Sequence, residues 1–207
     1  MQRNGSSRLR THKRNRGERG ASLVEAAVVT PVLLLIIFGI FEFGFFFRNY
    51  LAVSNGARDG AREASVAANV ADADYRVMRA IERATAALPD DAIESIKVYE
   101  ATDPEDRASD VGCGGTSSVV GVCNVYSASD LTRDVTQWGC QTIAAGDPVD
   151  SPDRFWCPTD REVSIGTGLD YVGIEITVSH DYITGLFGSS TTFDDYIVLK
   201  VEPQSNA

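Results

Sequence analysis

Residues 26–47 run for 22 positions with a single charge, Glu42. As an α-helix this run would be about 33 Å long, enough to cross a hydrocarbon core of about 30 Å. Leu33, Leu34, Leu35, Ile36, Ile37, Phe38, Ile40, Phe41, Phe43, Phe45, Phe46 and Phe47 leave it apolar on every side. A helix with no polar face is buried in a large core or spans a membrane. At 207 residues the chain is one domain, or a membrane helix plus one modest domain. A single-pass transmembrane helix is therefore expected over residues 21–50, with Arg48, Asn49 and Tyr50 at its exit.

Charge orients that helix. The formal net charge of −10 conceals two unlike halves. Residues 1–19 hold seven basic side chains (Arg3, Arg8, Arg10, Lys13, Arg14, Arg16, Arg19) against Glu18. From Arg48 onward, 12 Lys or Arg face 26 Asp or Glu, a net of −14. Basic residues flanking a span are retained on the cytoplasmic side. Residues 1–20 are thus expected to be a cytoplasmic leader and residues 51–207 an extracytoplasmic domain, on a protein of the plasma membrane. A basic arm also suits phosphates, but its place directly before the apolar run favours the lipid bilayer as partner. No basic helix follows the run, so nucleic acid is not expected.

The leader meets the helix at Gly20-Ala21-Ser22-Leu23-Val24-Glu25. A secretory signal peptide puts its small-residue cleavage site after the apolar core, whereas this glycine lies before it. A cut after Gly20 keeps the helix on the mature protein and makes Glu25 its fifth residue; a cut after Gly17 would make it the eighth. A carboxylate at the edge of the apolar phase is costly and usually marks a partner; the alternative is that Glu25 lies in the inner headgroup region, above all before processing. The α-ammonium created on Ala21 is such a partner: in a bundle, Glu25 of one subunit can neutralise Ala21 of its neighbour. Farther along, Pro31 removes a backbone hydrogen bond, so a kink or local melting near Thr30 is weighed evenly against a proline tolerated in place. Glu42 is expected to reach water near the outer interface.

These residues carry a family resemblance. Arg16-Gly17-Glu18-Arg19-Gly20-Ala21-Ser22-Leu23-Val24-Glu25, continued by Ala26-Ala27-Val28-Val29-Thr30-Pro31-Val32-Leu33-Leu34-Leu35 and by Gly39-Ile40-Phe41-Glu42-Phe43-Gly44, resembles the TadE-like pseudopilins. Those are minor pilin-like proteins of tight-adherence (Flp-type) pilus systems. The similarity extends over residues 16–66, where Ala57-Arg58-Asp59-Gly60-Ala61-Arg62-Glu63-Ala64 is similar to the family's post-membrane helix. Ile174-Glu175-Ile176-Thr177-Val178 and Val201-Glu202-Pro203 resemble family strands. The resemblance implies cleavage after Gly20 by a prepilin peptidase and a role for Glu25 at the fifth mature position. It also implies pilin or pseudopilin subunits and the pilus assembly machinery as partners. Ala26 stands where the major Flp pilins carry a tyrosine, and a large domain follows the helix. Both departures point to a minor subunit.

Beyond residue 50 the helix is expected to continue to about Ala68. Ala52, Gly56, Gly60, Ala64 and Ala68 form a smooth stripe at four-residue spacing, suited to the chain's own sheet or to another subunit. A second, amphipathic helix capped by Asp72 or Asp74 should run through Leu88, with Val77, Ile81, Ala84 and Leu88 on one face. Strands are expected around Ile93, Ile96 and Val98, over residues 172–179, and over residues 192–202. The sum is an α+β fold: a long N-terminal transmembrane α-helix, a second helix and a small antiparallel sheet with a disulfide-stapled loop insertion over about residues 102–168.

That insertion is too polar to fold on a core of its own and carries all four cysteines. Outside the membrane they should pair. Of the three pairings, Cys113–Cys123 with Cys140–Cys157 closes the shortest loops and is favoured. A zinc site is the weaker reading, because no C-x-x-C occurs and neither histidine lies among the cysteines. Asp147, Asp150 and Asp153 lack the glycine and glutamate of a calcium loop and read as a solvated turn. Ile183, Leu186 and Phe187 read as a tip that packs on the core or meets a partner. Catalysis is not expected. His12 lies in the leader, His180 ends a strand, no Gly-x-Ser-x-Gly elbow occurs, and Gly166-Thr167-Gly168 is too short for a phosphate loop. No cofactor or metal is expected. The competing functional reading is an unprocessed single-pass extracellular binding module.

Overall fold

The computed structural model describes residues 16–89, 91–140, 151–166 and 168–204, with side chains from residue 20 onward. His12, Arg3, Arg8, Arg10, Lys13, Arg14, Asp147, Asp150 and Thr167 lie outside the described residues, as do the side chains of Arg16, Glu18 and Arg19. The chain divides into two compact units, Met1–Phe41 and Glu42–Ala207.

Helix α1 (Arg16–Ala67) takes in the whole apolar run and remains helical through Thr30 and Pro31, so the backbone does not melt at the proline. In the first unit, residues 20–41 are exposed apart from the half-buried Gly39. An 18-residue window of this helix has a mean hydropathy of 2.5 and none of it is buried. It is long and apolar enough to cross a membrane.

In the second unit α1 is a core element. Glu42, Asn49, Val53, Gly56, Gly60, Ala64 and Ala68 are buried, at steps of three, four and seven residues that keep to one helical face. The face is smooth because two elements press on it. A Cβ at Gly60 would lie 2.9 Å from Ile81, and one at Gly56 would lie 3.0 Å from Thr85 and 3.2 Å from Ile176. The small-residue stripe thus packs on the unit's own second helix and sheet.

Helix α2 (Ala73–Thr85) buries Val77, Met78 and Ile81. Asp72 holds the N-cap position, but its side chain makes no cap hydrogen bond and accepts from Arg76 Nε at 3.0 Å instead, while Asp74 points into the core. The helix stops at Thr85, whose hydroxyl donates back to the Ile81 carbonyl at 2.8 Å, while Leu88 still packs on the core.

Six strands follow among the described residues: β1 (Ile93–Ala101), β2 (Cys123–Tyr126), β3 (Val163–Ser164), β4 (Gly168–Leu169), β5 (Tyr171–Asp181) and β6 (Ser190–Lys200). Four make one antiparallel sheet in the order β2-β1-β5-β6, and β3 pairs with β4 apart from it. The three expected strands are β1, β5 and β6; the fourth, β2, comes from the insertion. Val172, Ile174, Ile176 and Val178 of β5 face the two helices. The other face carries Gly173, over which the Tyr99 ring lies so closely that a Cβ there would sit 2.1 Å from Cζ. Beside it Lys97 Nζ donates to Glu175 Oε1 at 2.8 Å across the β1–β5 pair. Cys113, Cys123 and Ala108 close over this face together with Tyr99.

The disulfides pair Cys113 with Cys123 and Cys140 with Cys157. They do not merely hold a polar appendage. Tyr126, Leu131, Trp138, Trp156 and Val163 of the insertion are buried in the main core, so the segment folds on the core it shares with the helices and sheet. A buried ionic cluster ties it down: Asp74 takes a hydrogen bond from Asn124 Nδ2 at 3.1 Å, one from the Tyr126 hydroxyl and an ion pair from Arg161. Arg161 in turn lies 4.5 Å from the centroid of the Trp156 ring.

Candidate processing and assembly site

Gly20, Ala21 and Glu25 lie within one turn and a half of α1, all exposed. Ala21 and Glu25 are four residues apart and therefore share a helix face. Gly20 has a helical backbone with no neighbour within 4 Å of the position a Cβ would take. Neither a close approach nor a positive φ requires glycine there; the fold would accept any good helix former. Among the described residues Glu25 has no ion pair or hydrogen bond, although a carboxylate next to Leu23 and Val24 gains most from having one.

Hydrolysis of the Gly20–Ala21 amide would leave a carboxylate on Gly20 and an ammonium on Ala21. The new helix would begin with that ammonium and the unpaired N–H groups of Ser22, Leu23 and Val24, the positive end of the helix dipole. Glu25, one turn in, is the first anionic side chain such an end could meet.

A second carboxylate departs from its expected place. Glu42 does not reach water: it is 2% exposed. Its carboxylate accepts the N–H of Ile183 at 3.1 Å, the hydroxyl of Thr184 at 2.7 Å and the Thr184 N–H. These donors sit in the turn between β5 and β6, 141 and 142 residues away in the chain. No local pattern signals such a partner; the one hint is that Thr184-Gly185 reads as a turn rich in donors. One turn on, Phe46 packs edge-on against His180 and Phe193, at 5.7 and 5.2 Å between centroids. Asn49 Nδ2 approaches His180 Nδ1 at 2.9 Å in a buried pair. His180 is 5% exposed and spent on this packing, and no serine among the described residues hydrogen-bonds to its ring as a catalytic triad would require.

The remaining candidates are also occupied. Asp153, the one described member of the aspartate trio, is fully buried and accepts the N–H groups of Gly139 and Cys140 at 2.8 and 3.0 Å. Asp106 accepts from the Thr102 hydroxyl and from the Thr102 and Asp103 N–H groups, and these bonds hold its carboxyl below the usual carboxylate range. Burial raises the Tyr99 phenol well above its ordinary value.

Comparison with known proteins places the site in a family segment. Residues 20–62 match the family model described as TadE-like protein. No curated protein and no solved structure matches the chain. The matched segment holds Gly20, Glu25, Glu42 and Gly60, whereas the sheet, the insertion and both disulfides lie beyond it. TadE-like proteins are a pilus-associated structural family, and the match with the apolar helix fits a membrane protein related to tight-adherence pili.

Proposed function

We propose that this chain is a minor pseudopilin of a Flp-type, tight-adherence pilus, inserted in the plasma membrane with residues 1–20 in the cytoplasm. A prepilin peptidase cuts the Gly20–Ala21 bond, the basic leader is lost, and the helix stays in the bilayer. In the assembling complex, Glu25 of one subunit pairs with the Ala21 ammonium of another, so that two charges costly to leave in an apolar setting satisfy each other. The folded unit from Glu42 onward lies on the extracytoplasmic side, where its disulfides persist.

The observation that carries this reading is Gly20 itself. It is a glycine that the helix does not need, placed directly before an exposed apolar run, with the carboxylate at the fifth position and within the TadE-like match. Replacing Gly20 with tryptophan tests it. Because no atom lies near that position, the variant should insert and fold normally. N-terminal sequencing should find Ala21 at the start of the wild-type mature protein and only the uncut leader in Gly20→Trp, with pilus assembly or secretion impaired. A wild-type protein that keeps its leader, together with full function of Gly20→Trp, would instead favour the unprocessed binding module.

A further inference from the structure

The turn between β5 and β6 leaves three apolar side chains in the open: Ile183 is 71% exposed, Leu186 48% and Phe187 51%. Residues 182–193 contain no charged side chain, in a domain where Asp, Glu, Lys and Arg are otherwise frequent. The turn is also fixed in place. Glu42 holds it by the backbone N–H groups of Ile183 and Thr184, and Phe187 packs edge-on against Phe43 at 5.6 Å between centroids. Glu42, Phe43, Phe46, Tyr182 and Phe187 line an apolar-walled recess of about 220 Å³ between turn and helix. Phe43 and Phe47 on the same stretch of helix are 54% and 56% exposed.

These residues adjoin the membrane-spanning run in the chain, because Glu42 directly follows Phe41. Phe43 follows Phe41 by two residues in the chain. The turn is thus tied to Glu42 and Phe43, the residues that directly follow the apolar run in the chain. We infer that Ile183, Leu186 and Phe187, with Phe43 and Phe47, form a wedge that enters the lipid bilayer at the boundary between headgroups and acyl chains. The occupant of this surface is lipid. Exposed aromatic and aliphatic side chains without a charge suit that boundary, and the adjacent span delivers them to it. This rests on the reading of residues 21–41 as a membrane span, and the test separates the two.

Full-length protein carrying Phe187→Trp, Leu33→Trp or Val120→Trp is reconstituted into phosphatidylcholine vesicles brominated at shallow or deep acyl positions, with the signal of the native Trp138 and Trp156 subtracted. Val120 is 79% exposed and serves as the aqueous control. The tryptophan at position 187 should be quenched more by shallow than by deep bromines and several-fold less by aqueous iodide than that at 120; position 33 should respond most to deep bromines. If position 33 is lipid-quenched while position 187 behaves like 120, the wedge fails and the span stands. If position 33 escapes lipid quenching, the span fails and takes the wedge with it. If position 187 is shielded from both iodide and lipid, a protein surface covers the tip and the lipid assignment is overturned. Ile183→Trp repeats the measurement at a second side chain of the tip, more exposed than Phe187.

Discussion

A carboxylate in an apolar stretch of helix has two homes: water at a membrane surface, or donors brought to it by the rest of the chain. Glu42 takes the second, and its three donors all belong to one turn. Hydrogen bonds to a charged group contribute about 1.5–3 kcal/mol. Glu42→Ala should therefore lower stability by about 2 kcal/mol, seen as a lower midpoint of thermal unfolding in mild detergent. Amide exchange at Ile183 and Thr184 should accelerate more than at β1, which would mark the loss as local to the turn. Glu42→Gln keeps an acceptor and should fall between. Asp74 poses a harsher case, since it and Arg161 are both fully buried. Arg161 Nε and Nη1 already lack hydrogen-bond partners among the described residues. Asp74→Ala leaves that cation uncompensated and should cost about 3–5 kcal/mol, whereas Asp74→Leu with Arg161→Met should be much closer to neutral. Equal losses in the single and double variants would show that the pair itself, and not the stranded charge, sets the cost.

At the scale of elements, the small-residue stripe of α1 admits two readings, an internal one and an intersubunit one. The close approaches at Gly56 and Gly60 decide for the internal one. Gly60→Ala gains about 1 kcal/mol of helix propensity but forces a methyl against Ile81, and overpacking costs about 1–3 kcal/mol. A net destabilisation of about 1 kcal/mol is expected, with recovery when Ile81→Val is added; a stripe facing another subunit would make Gly60→Ala stabilising in the isolated protein. The turn at residues 102–106 gives a pH test. Asp106 has its carboxyl held below the ordinary range by the Thr102 hydroxyl and the Thr102 and Asp103 N–H groups. A depressed folded pKa contributes stability that is complete above the unfolded value, about 3.9, and disappears as pH falls through the folded value. Wild type should therefore lose stability relative to Asp106→Asn on acidification below about pH 4, and the gap between them should be constant from there to neutrality. Denaturant titrations at several pH values would measure it. A gap that widens between about pH 5 and 7 would assign the effect to another group.

Over the whole molecule, what the sequence made legible was what is periodic or contiguous. The apolar run, the faces of α1 and α2, and the alternation in β5 follow from local spacing, as does the Gly20 and Glu25 arrangement. What it hid depends on distant partners. Trp138 stands singly and Phe155-Trp156-Cys157 is too short a run to show a period, and the cluster of Asp74, Asn124, Tyr126 and Arg161 explains why their segment folds into the main core. The strand Cys123–Tyr126 is too short to show a period, and Glu42 finds donors 141 residues away. The same distant partners move the start of the folded unit. The run of apolar residues argues for a domain beginning at 51, yet Glu42, Phe46 and Asn49 are built into the unit that starts at Glu42. We propose on this ground that the span is residues 21–41, about 31 Å of helix, which matches a hydrocarbon core of about 30 Å more closely than a span of 30 residues does. Two truncated chains distinguish these boundaries. One beginning at Glu42 retains the turn tie, the Asn49–His180 pair and the Phe46–Phe193 packing, and should unfold in a single transition in mild detergent. One beginning at Leu51 lacks all three, leaving His180 and the Thr184 turn without them. It should be less stable by several kcal/mol, since each missing hydrogen bond or aromatic pair is worth about 0.5–3 kcal/mol. Equal stability of the two fragments in circular dichroism melts would return residues 42–50 to the membrane and make the Glu42 hydrogen bonds incidental to folding.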